Sequence, residues 1–436
     1  MRNVLKAACI SCGASYDAGE HTYTCPRCGG VLEILYDYDY VKSVFTKETL
    51  AGRDFTMWRY RELLPIEEGS ALTPLRVGGS PLYRTESLGK ILGLKNLYVK
   101  DDGLNPTSSL KDRASAIAVV RAKQAGMDTV ACSSTGNAAS SLAGNAAAMG
   151  LRSFIFVPQR APAGKLVQLR MFGANLISVK GNYEDTFRLS AQAIEKWGWY
   201  NRNAAINPYL SEGKKTVSLE IAEQLGAVHG KSDPVSGRSG PGFGKPEFRA
   251  PDYVAVSVGD GCTIAGVWKG FKDLYAIGFI DKLPRLISVQ AEGCCPVNRA
   301  FETGKALEPM EENTIADSIA VGVPRNGEKA LRAIRESEGI AVNVSDGEIL
   351  AAMRLLGAAS GVFGEPAGVT GLAGLGKAAA RGLIPEDALV VSVVTGNGLK
   401  DVASAQKAAA ELGQPVSISA DMGLLVEEFG RRNIRP

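Results

Sequence analysis

Three patterns predict an α/β protein, with two open, mainly parallel α/β/α domains behind an N-terminal zinc ribbon. Short β-branched runs alternate with longer helical runs across most of the chain, the pattern of parallel sheet flanked by helices. Loops rich in glycine and hydroxyl residues follow several of those runs, where open parallel sheets put their ligands. Two Cys-x-x-Cys pairs stand ahead of everything else.

The bulk properties agree. At 436 residues the chain is too long for one simple core and calls for two or three domains. Hydrophobic content of 45% and charged content of 22% are ordinary for a soluble protein. A net charge of +3, spread out, gives no reason to expect a nucleic-acid or membrane partner. Met1 to Ile10 holds no apolar run of signal-peptide or membrane-span length, so a cytoplasmic protein is expected. The eight cysteines, four within the first 28 residues and four scattered, do not form a disulfide framework. The expected division is a zinc ribbon at 1–36, a connector and first part of a large domain at 37–110, a small α/β domain at 111–200, and a large α/β domain at 201–436.

In chain order, Cys9 and Cys12 make one knuckle and Cys25 and Cys28 a second, twelve residues on. Four thiolates suit a tetrahedral zinc ion, and with four protein ligands the site is closed and structural. Few basic residues accompany the ribbon, which argues against nucleic-acid binding. Residues 37–75 read as a connector with one or two short helices. Leu82-Tyr83 and Lys95 to Lys100 look extended. Asn105-Pro106-Thr107-Ser108 is a turn, and Asp112 to Val120 opens a buried helix, so Lys111 sits where loop becomes helix. Desolvation there lowers a lysine's pKa, and a neutral amine attacks carbonyls. Taken alone, the stretch reads more readily as an ordinary exposed lysine near a helix N-terminus.

Strands are expected at 129–133, 153–157, 175–179, 253–258, 286–290 and 389–394, with helices at 137–149, 184–197 and 264–275. Residues 230–251, with five glycines and four prolines, read as a flexible surface loop. Ser133 to Asn137 follows a strand and opens a helix, which offers hydroxyls and N–H groups to an anion; a helix cap explains one hydroxyl of it. Gly259 to Thr263 is a plausible phosphate cradle, with the Asp260 carboxylate turned away. It is neither a Walker loop nor a dinucleotide fingerprint. Thr395 to Asp401 follows the last strand, and its threonine hydroxyl suits a heteroaromatic nitrogen. Glu365-Pro366 opens another helix. A lysine for a Schiff base, a one-phosphate cradle, a hydroxyl for a ring nitrogen and an anion loop are together what pyridoxal phosphate needs.

These segments, with Ile206-Asn207-Pro208 and Glu212 to Thr216, resemble the fold-type-II pyridoxal-phosphate enzymes, the tryptophan synthase β-like family. Within them the chain is most similar to threonine synthase. The resemblance implies that Lys111 holds the cofactor and shuttles protons, and that Asn137 bonds the ring hydroxyl. It implies that Ser134 and Thr135 receive the substrate carboxylate, that Gly259, Asp260, Gly261, Cys262 and Thr263 hold the cofactor phosphate, and that Thr395 faces the ring nitrogen. The implied reaction turns O-phosphohomoserine, a small phosphorylated amino acid, and water into threonine and phosphate in a cytoplasmic homodimer; some family members carry the zinc ribbon as well. The chain departs from the family where the substrate phosphate binds. Leu210 stands where Arg is usual, Ala204-Ala205 where polar residues are usual, and Ser108-Ser109-Leu110 where Gly-Ser-Phe is usual. Either another cation, Arg113, Lys214 or Lys215, takes the phosphate, or the reaction is a relative's: cysteate synthase-like β-replacement on phosphoserine, or amino-acid dehydration. A zinc-ribbon binding protein on an inactive scaffold is the remaining alternative.

Overall fold

The computed structural model describes residues 1–19, 22–159, 163–181, 183–203, 206–229, 246–432 and 434. Two sheets organise the catalytic part of the chain. The larger has six strands in the order Ile340–Val344, Arg285–Ala291, Tyr253–Ser257, Leu389–Val394, Asn96–Asp101 and Leu82–Arg84. Its pairs are parallel except the last, where the edge strand Leu82–Arg84 runs antiparallel. The smaller has four parallel strands in the order Asn175–Val179, Arg152–Pro158, Thr129–Ser133 and Tyr200–Asn201. The chain leaves the large sheet after Asp101, builds the small sheet, and returns at Tyr253.

Central strands with both faces covered have no polar side to show, and Tyr253–Ser257 and Leu389–Val394 are buried at every position. Val254, Val256, Val391 and Val393 point into one core layer, with Ile264, Val267 and Phe271 of the helix Cys262–Ala276. Ala255, Val390 and Val394 point into the opposite layer, with Val369, Leu372 and Leu375 of the helix Pro366–Ala380. Alternation of period two sends successive side chains to opposite faces and so creates both layers.

The helix Lys111–Gln124 lies between the remaining two cores and is buried at every position from Asp112 to Ala122. Ala114, Ala118, Val119 and Ala122 pack on the small sheet with Val130, Cys132 and Ile155. Ala116, Ile117 and Val120 pack under the N-terminal ribbon with Leu32, Ile34 and Tyr209. Small side chains on all sides let the surrounding elements approach closely. That ribbon is a three-stranded antiparallel sheet, Ser15–Tyr16, Val4–Cys9 and Leu32–Tyr36. Between it and the large sheet run the helix Tyr38–Val44 and two short 3-10 helices, Glu48–Leu50 and Met57–Leu63.

Of the expected surface loop at 230–251, residues 230–245 lie outside the described residues. Residues 246–251 have no regular secondary structure and expose Glu247 and Arg249, yet alternate residues turn inward. Phe248 and Ala250 enter the large core, and Phe248 packs against Phe279 at 4.9 Å between ring centroids. Glycine and proline content hides one aromatic anchor.

A buried ion cluster fixes the N-terminal end of the Lys111 helix. Arg113 Nε donates to Asp102 Oδ2 at 2.7 Å, and its Nη1 and Nη2 donate to Glu220 at 2.6 and 2.8 Å. Lys100 Nζ donates to Glu220 Oε2 at 2.7 Å. Burial alone raises the Glu220 pKa, but Arg113 and Lys100 outweigh it and hold the carboxyl at about 2. Breaking such a cluster on one side strands its charges, so Arg113→Met should cost about 3–5 kcal/mol in urea-induced unfolding. A loss below about 1 kcal/mol, the range of an exposed pair, would mean the cluster contributes little.

Candidate active site

The turn before Lys111 is built by its own side chains. Asp112 reaches back, accepting from Thr107 N at 2.8 Å and Thr107 Oγ1 at 2.9 Å, and from Asn145 Nδ2 at 3.0 Å. Asn105 Oδ1 accepts from Gly78 N at 2.9 Å. Ser108 adopts φ +69°, a left-handed conformation that glycine takes freely and serine holds at a cost of about 1 kcal/mol. The turn then docks on the loop after the last strand. Leu110 N donates to Thr395 O at 2.9 Å, and Asn397 N donates to Ser108 O at 3.0 Å.

Lys111 is half-buried at the start of its helix. Burial lowers its amine to a pKa of about 7, helped by the positive charges of Lys214 and Arg202 and opposed by Glu365 and Cys262. Asn137 opens the helix Asn137–Ala148, and its Nδ2 donates to Glu365 Oε1 at 2.5 Å. Glu365 is buried, which raises its carboxyl to about 7 against the Asn137 hydrogen bond and the charges of Lys400 and Lys111. Amine and carboxyl thus both titrate near neutrality, an arrangement suited to passing protons.

Gly259 to Thr263 joins the strand Tyr253–Ser257 to the helix Cys262–Ala276. Gly261 holds φ +92°, and a Cβ there would meet Asn326 O at 2.5 Å, so the turn requires glycine. The first N–H groups of the helix have no intrahelical partner and carry its positive end. Asp260 does face away: its Oδ1 accepts from Arg325 N at 2.9 Å and its Oδ2 from Asn326 Nδ2 at 3.0 Å. Burial raises the Cys262 thiol to about 11, so it stays neutral. Lys214 packs beside this helix, its Cβ 3.2 Å from where a Gly266 Cβ would stand. Lys214 is buried and makes no ion pair among the described residues. A one-phosphate group fits here on three counts: glycine turn, free helix end and uncompensated ammonium.

Ser134 follows the strand Thr129–Ser133, and its Oγ accepts from Gly136 N at 3.1 Å. Thr135, Gly136, Asn137, Glu365 and Lys400 line a cavity of about 240 Å³. Lys400 Nζ ties its walls together, donating to Thr107 O, Ser140 Oγ and Gln168 Oε1 at 3.1, 2.9 and 2.6 Å. The turn at 108–110 is tied to 395–397 by its backbone hydrogen bonds, and Glu365 and Cys262 are close enough to act on the Lys111 charge, but Lys111, Ser134, Gly259 to Thr263 and Thr395 do not line this cavity. Two of the cations named for a substrate phosphate are committed elsewhere: Arg113 in the cluster above, and Lys215 to Asp273 and Glu212 at 2.5 and 2.6 Å. Leu210 is fully buried in the small-sheet core, and Ala204 and Ala205 lie outside the described residues. Glu365 and Arg202 carried no role in the sequence reading. The Glu-Pro-Ala-Gly helix start pointed at the first; nothing local pointed at the second.

The four N-terminal cysteines converge. Their Sγ atoms all lie within 4.8 Å of one another, with Cys9–Cys28 at 3.5 Å and Cys12–Cys25 at 3.6 Å. The knuckles share one hydrogen-bond pattern, Gly13 N to Cys9 O and Gly29 N to Cys25 O, with both glycines at φ above +70°. A tetrahedron with Zn–S of about 2.3 Å has this size.

The lowered amine has a kinetic consequence. Only the neutral amine adds to an aldehyde, so addition of pyridoxal phosphate to the apoprotein should accelerate between about pH 6 and about pH 8 and then level off. Lys214→Met removes a neighbouring positive charge, so the Lys111 pKa rises and the plateau moves to higher pH. Stopped-flow absorbance measures both. A wild-type rate still climbing at about pH 10, as for an ordinary lysine, would contradict the assignment.

Comparison with known proteins agrees with this geometry. Residues 74–396 match the model of the family described as pyridoxal-phosphate dependent enzyme. The chain is 40% identical over 420 residues to threonine synthase of Methanocaldococcus jannaschii, covering 96% of this chain and 97% of that protein. It is 39% identical to threonine synthase of Methanosarcina acetivorans, covering 90% and 91%. Among solved structures it is similar to threonine deaminase isoform 2 of Solanum lycopersicum, with a TM-score of 0.64 at 20% identity over 85% of this chain and 94% of that one. Diaminopropionate ammonia lyase of Escherichia coli gives a TM-score of 0.61 at 20% identity, over 76% and 87%. At that identity the two structures speak to the fold alone. A lysine at a loop-to-helix junction, ringed by loops from two parallel sheets, thus belongs to a chain that is a member of the pyridoxal-phosphate dependent enzymes and, within them, of the threonine synthases.

Proposed function

We propose that the protein is a pyridoxal-phosphate-dependent lyase, a threonine synthase that converts O-phosphohomoserine and water to threonine and inorganic phosphate. The observation that carries this reading is the Lys111 amine, held at about 7 and flanked by the Asn137–Glu365 pair. The similarity to threonine synthases over nine-tenths of the chain supports the reaction.

The residues fit the cofactor. Lys111 would hold its aldehyde carbon. The backbone N–H groups of Gly259 to Thr263 would hold its phosphate, aided by Lys214, with Asp260 contributing main chain only. Asn137 would orient the ring through its hydroxyl, and Thr395 would offer the ring nitrogen a neutral partner. When bound, pyridoxal phosphate withdraws electrons from the carbon that has lost a proton. Ser134 and Thr135 bind the substrate carboxylate at the positive end of the helix Asn137–Ala148. Lys111 Nζ removes the α proton and then a β proton, whose C–H electrons form the β–γ double bond as phosphate leaves with the γ C–O bonding electrons. A proton is delivered to the γ carbon, water adds its hydroxyl at the β carbon, and a proton returned to the α carbon gives threonine. Glu365 Oε1, near half-protonated at neutral pH, accepts or returns a proton beside the ring hydroxyl. The family resemblance supports a homodimer. Paired thiolates suited to a metal, rather than to disulfides, support a reducing cytoplasm.

Purified, cofactor-loaded enzyme given O-phosphohomoserine should release phosphate and threonine in equal amounts, and Lys111→Ala should lower the rate by about a thousandfold or more. Parallel assays with phosphoserine plus sulfite, with threonine and with serine separate the β-replacement and dehydratase readings. Turnover of one of those without phosphate release from phosphohomoserine would replace the assignment.

We also propose that Cys9, Cys12, Cys25 and Cys28 hold one structural zinc ion. Elemental analysis should give about one zinc per chain, lost in a Cys12→Ser, Cys28→Ser double variant. Zinc content unchanged by that variant would refute the site.

A further inference from the structure

Arg202 follows the edge strand Tyr200–Asn201 of the small sheet and is 1% exposed. Its Nε donates to Ser115 Oγ at 3.0 Å and its Nη2 to Ser141 Oγ at 3.4 Å. Ser115 lies one helical turn beyond Lys111, and Ser141 one turn beyond Asn137, each on the same helix face as its partner. The guanidinium therefore bridges the two helices that carry the site's amine and amide. Among the described residues no carboxylate pairs with it. Two neutral hydroxyls do not compensate a buried guanidinium, which has five N–H donors to satisfy.

Its neighbourhood has the same deficit. Asn203 is buried, its Oδ1 accepting from Ser133 N at 3.0 Å while its Nδ2 finds no acceptor. Each of these groups can donate, and what they lack together is a multivalent anionic acceptor. Lys214 stands by the cradle helix, Arg202 stands at the end of the strand Tyr200–Asn201, and the charge of each is felt at Lys111. The positive charge that position 210 lacks is thus available from eight residues upstream, on the strand end rather than on the following helix.

We propose that Arg202 is a specificity-determining residue that receives the distal phosphate of the substrate; this rests on the reading of the site as a phosphohomoserine site. The planar guanidinium fork matches phosphate geometry, and its burial strengthens each charge-assisted bond.

The test compares the loaded wild-type enzyme with Arg202→Gln, which keeps donors toward Ser115 and Ser141, and with Arg202→Lys, which keeps the charge. Three quantities are read: inhibition by inorganic phosphate, KM and kcat for O-phosphohomoserine, and the visible spectral response to threonine, which lacks phosphate. In Arg202→Gln, phosphate inhibition and KM should weaken about ten- to a hundredfold. The kcat should fall as well, since the phosphate is the leaving group, whereas the threonine response should change less than about threefold, and Arg202→Lys should recover most of the phosphate affinity. Equal loss of threonine and phosphate binding in Arg202→Gln would make Arg202 merely structural and overturn the proposal, as would unchanged phosphate affinity. If phosphate binds through Arg202 but phosphohomoserine is not turned over, the reaction assignment falls and the anion site stands. Normal turnover with unchanged phosphate affinity in Arg202→Gln gives the converse.

Discussion

Everything at this site hangs on how Arg113 is held. Its guanidinium spans Asp102, at the end of a large-sheet strand, and Glu220, on the helix Thr216–His229, with Lys100 completing the cluster. All four side chains are buried. Desolvating so many charges is expensive, and the cost is offset only if every donor and acceptor is met in one geometry. That requirement leaves the first turn of the Lys111 helix very few positions. Lys111, two residues before Arg113, inherits its placement from an ion cluster on the other side of the helix.

The contrast between the two sides of the helix start is what makes the site reactive. On the Arg113 side, cations and carboxylates alternate and neutralise one another. On the Lys111 side, Lys214 and Arg202 bring positive charge without ion pairs among the described residues, and the carboxyl that acts on Lys111, Glu365, is itself held near neutrality by burial. The same low dielectric that stabilises the paired cluster makes the unpaired one receptive to anions. The N-terminal ribbon belongs to the same logic. It covers the back of the helix through Ala116, Ile117 and Val120, and Arg121 Nη2 donates to Ala18 O at 3.1 Å. Cys9 and Cys25 lie in that same core, so the ribbon bears on the rigidity of the Lys111 helix.

How much of this the sequence discloses depends on whether the cause is local. Val254 to Val258 and Leu389 to Val394 announce themselves because strands buried on both faces are written as unbroken apolar runs. Gly261 and Asn105-Pro106 announce turns because their backbone needs are local. The edge strand Ile340–Val344 is only partly buried, alternates with Asn343, and passes unnoticed. Phe248 is a core anchor hidden in a stretch whose composition says loop. Arg202 and Glu365 escape for a deeper reason. Their significance lies in what surrounds them in three dimensions: no carboxylate partner among the described residues in one case, burial beside Asn137 in the other. The helix start marks the position of Glu365 but not its role, and nothing local marks Arg202.

Leu210 shows why motif and function separate here. The groups proposed to hold the cofactor are main-chain turns and helix ends, and these tolerate little change because backbone geometry sets them. A cation for a distal anion needs only to arrive at the right point, and several elements border that point. Tyr200–Asn201 ends beside the helices bearing Lys111 and Asn137, so a guanidinium launched from position 202 reaches the region as readily as one from position 210. With Leu210 in the small-sheet core beside Ala114 and Cys132, the helix Tyr209–Lys214 is free to pack against apolar neighbours, and Ser115 and Ser141 supply the hydroxyls that steer Arg202. An arginine absent from its motif position is therefore weak evidence that the substrate's anion has been lost, when a buried arginine with no ion pair among the described residues acts on the charge of Lys111.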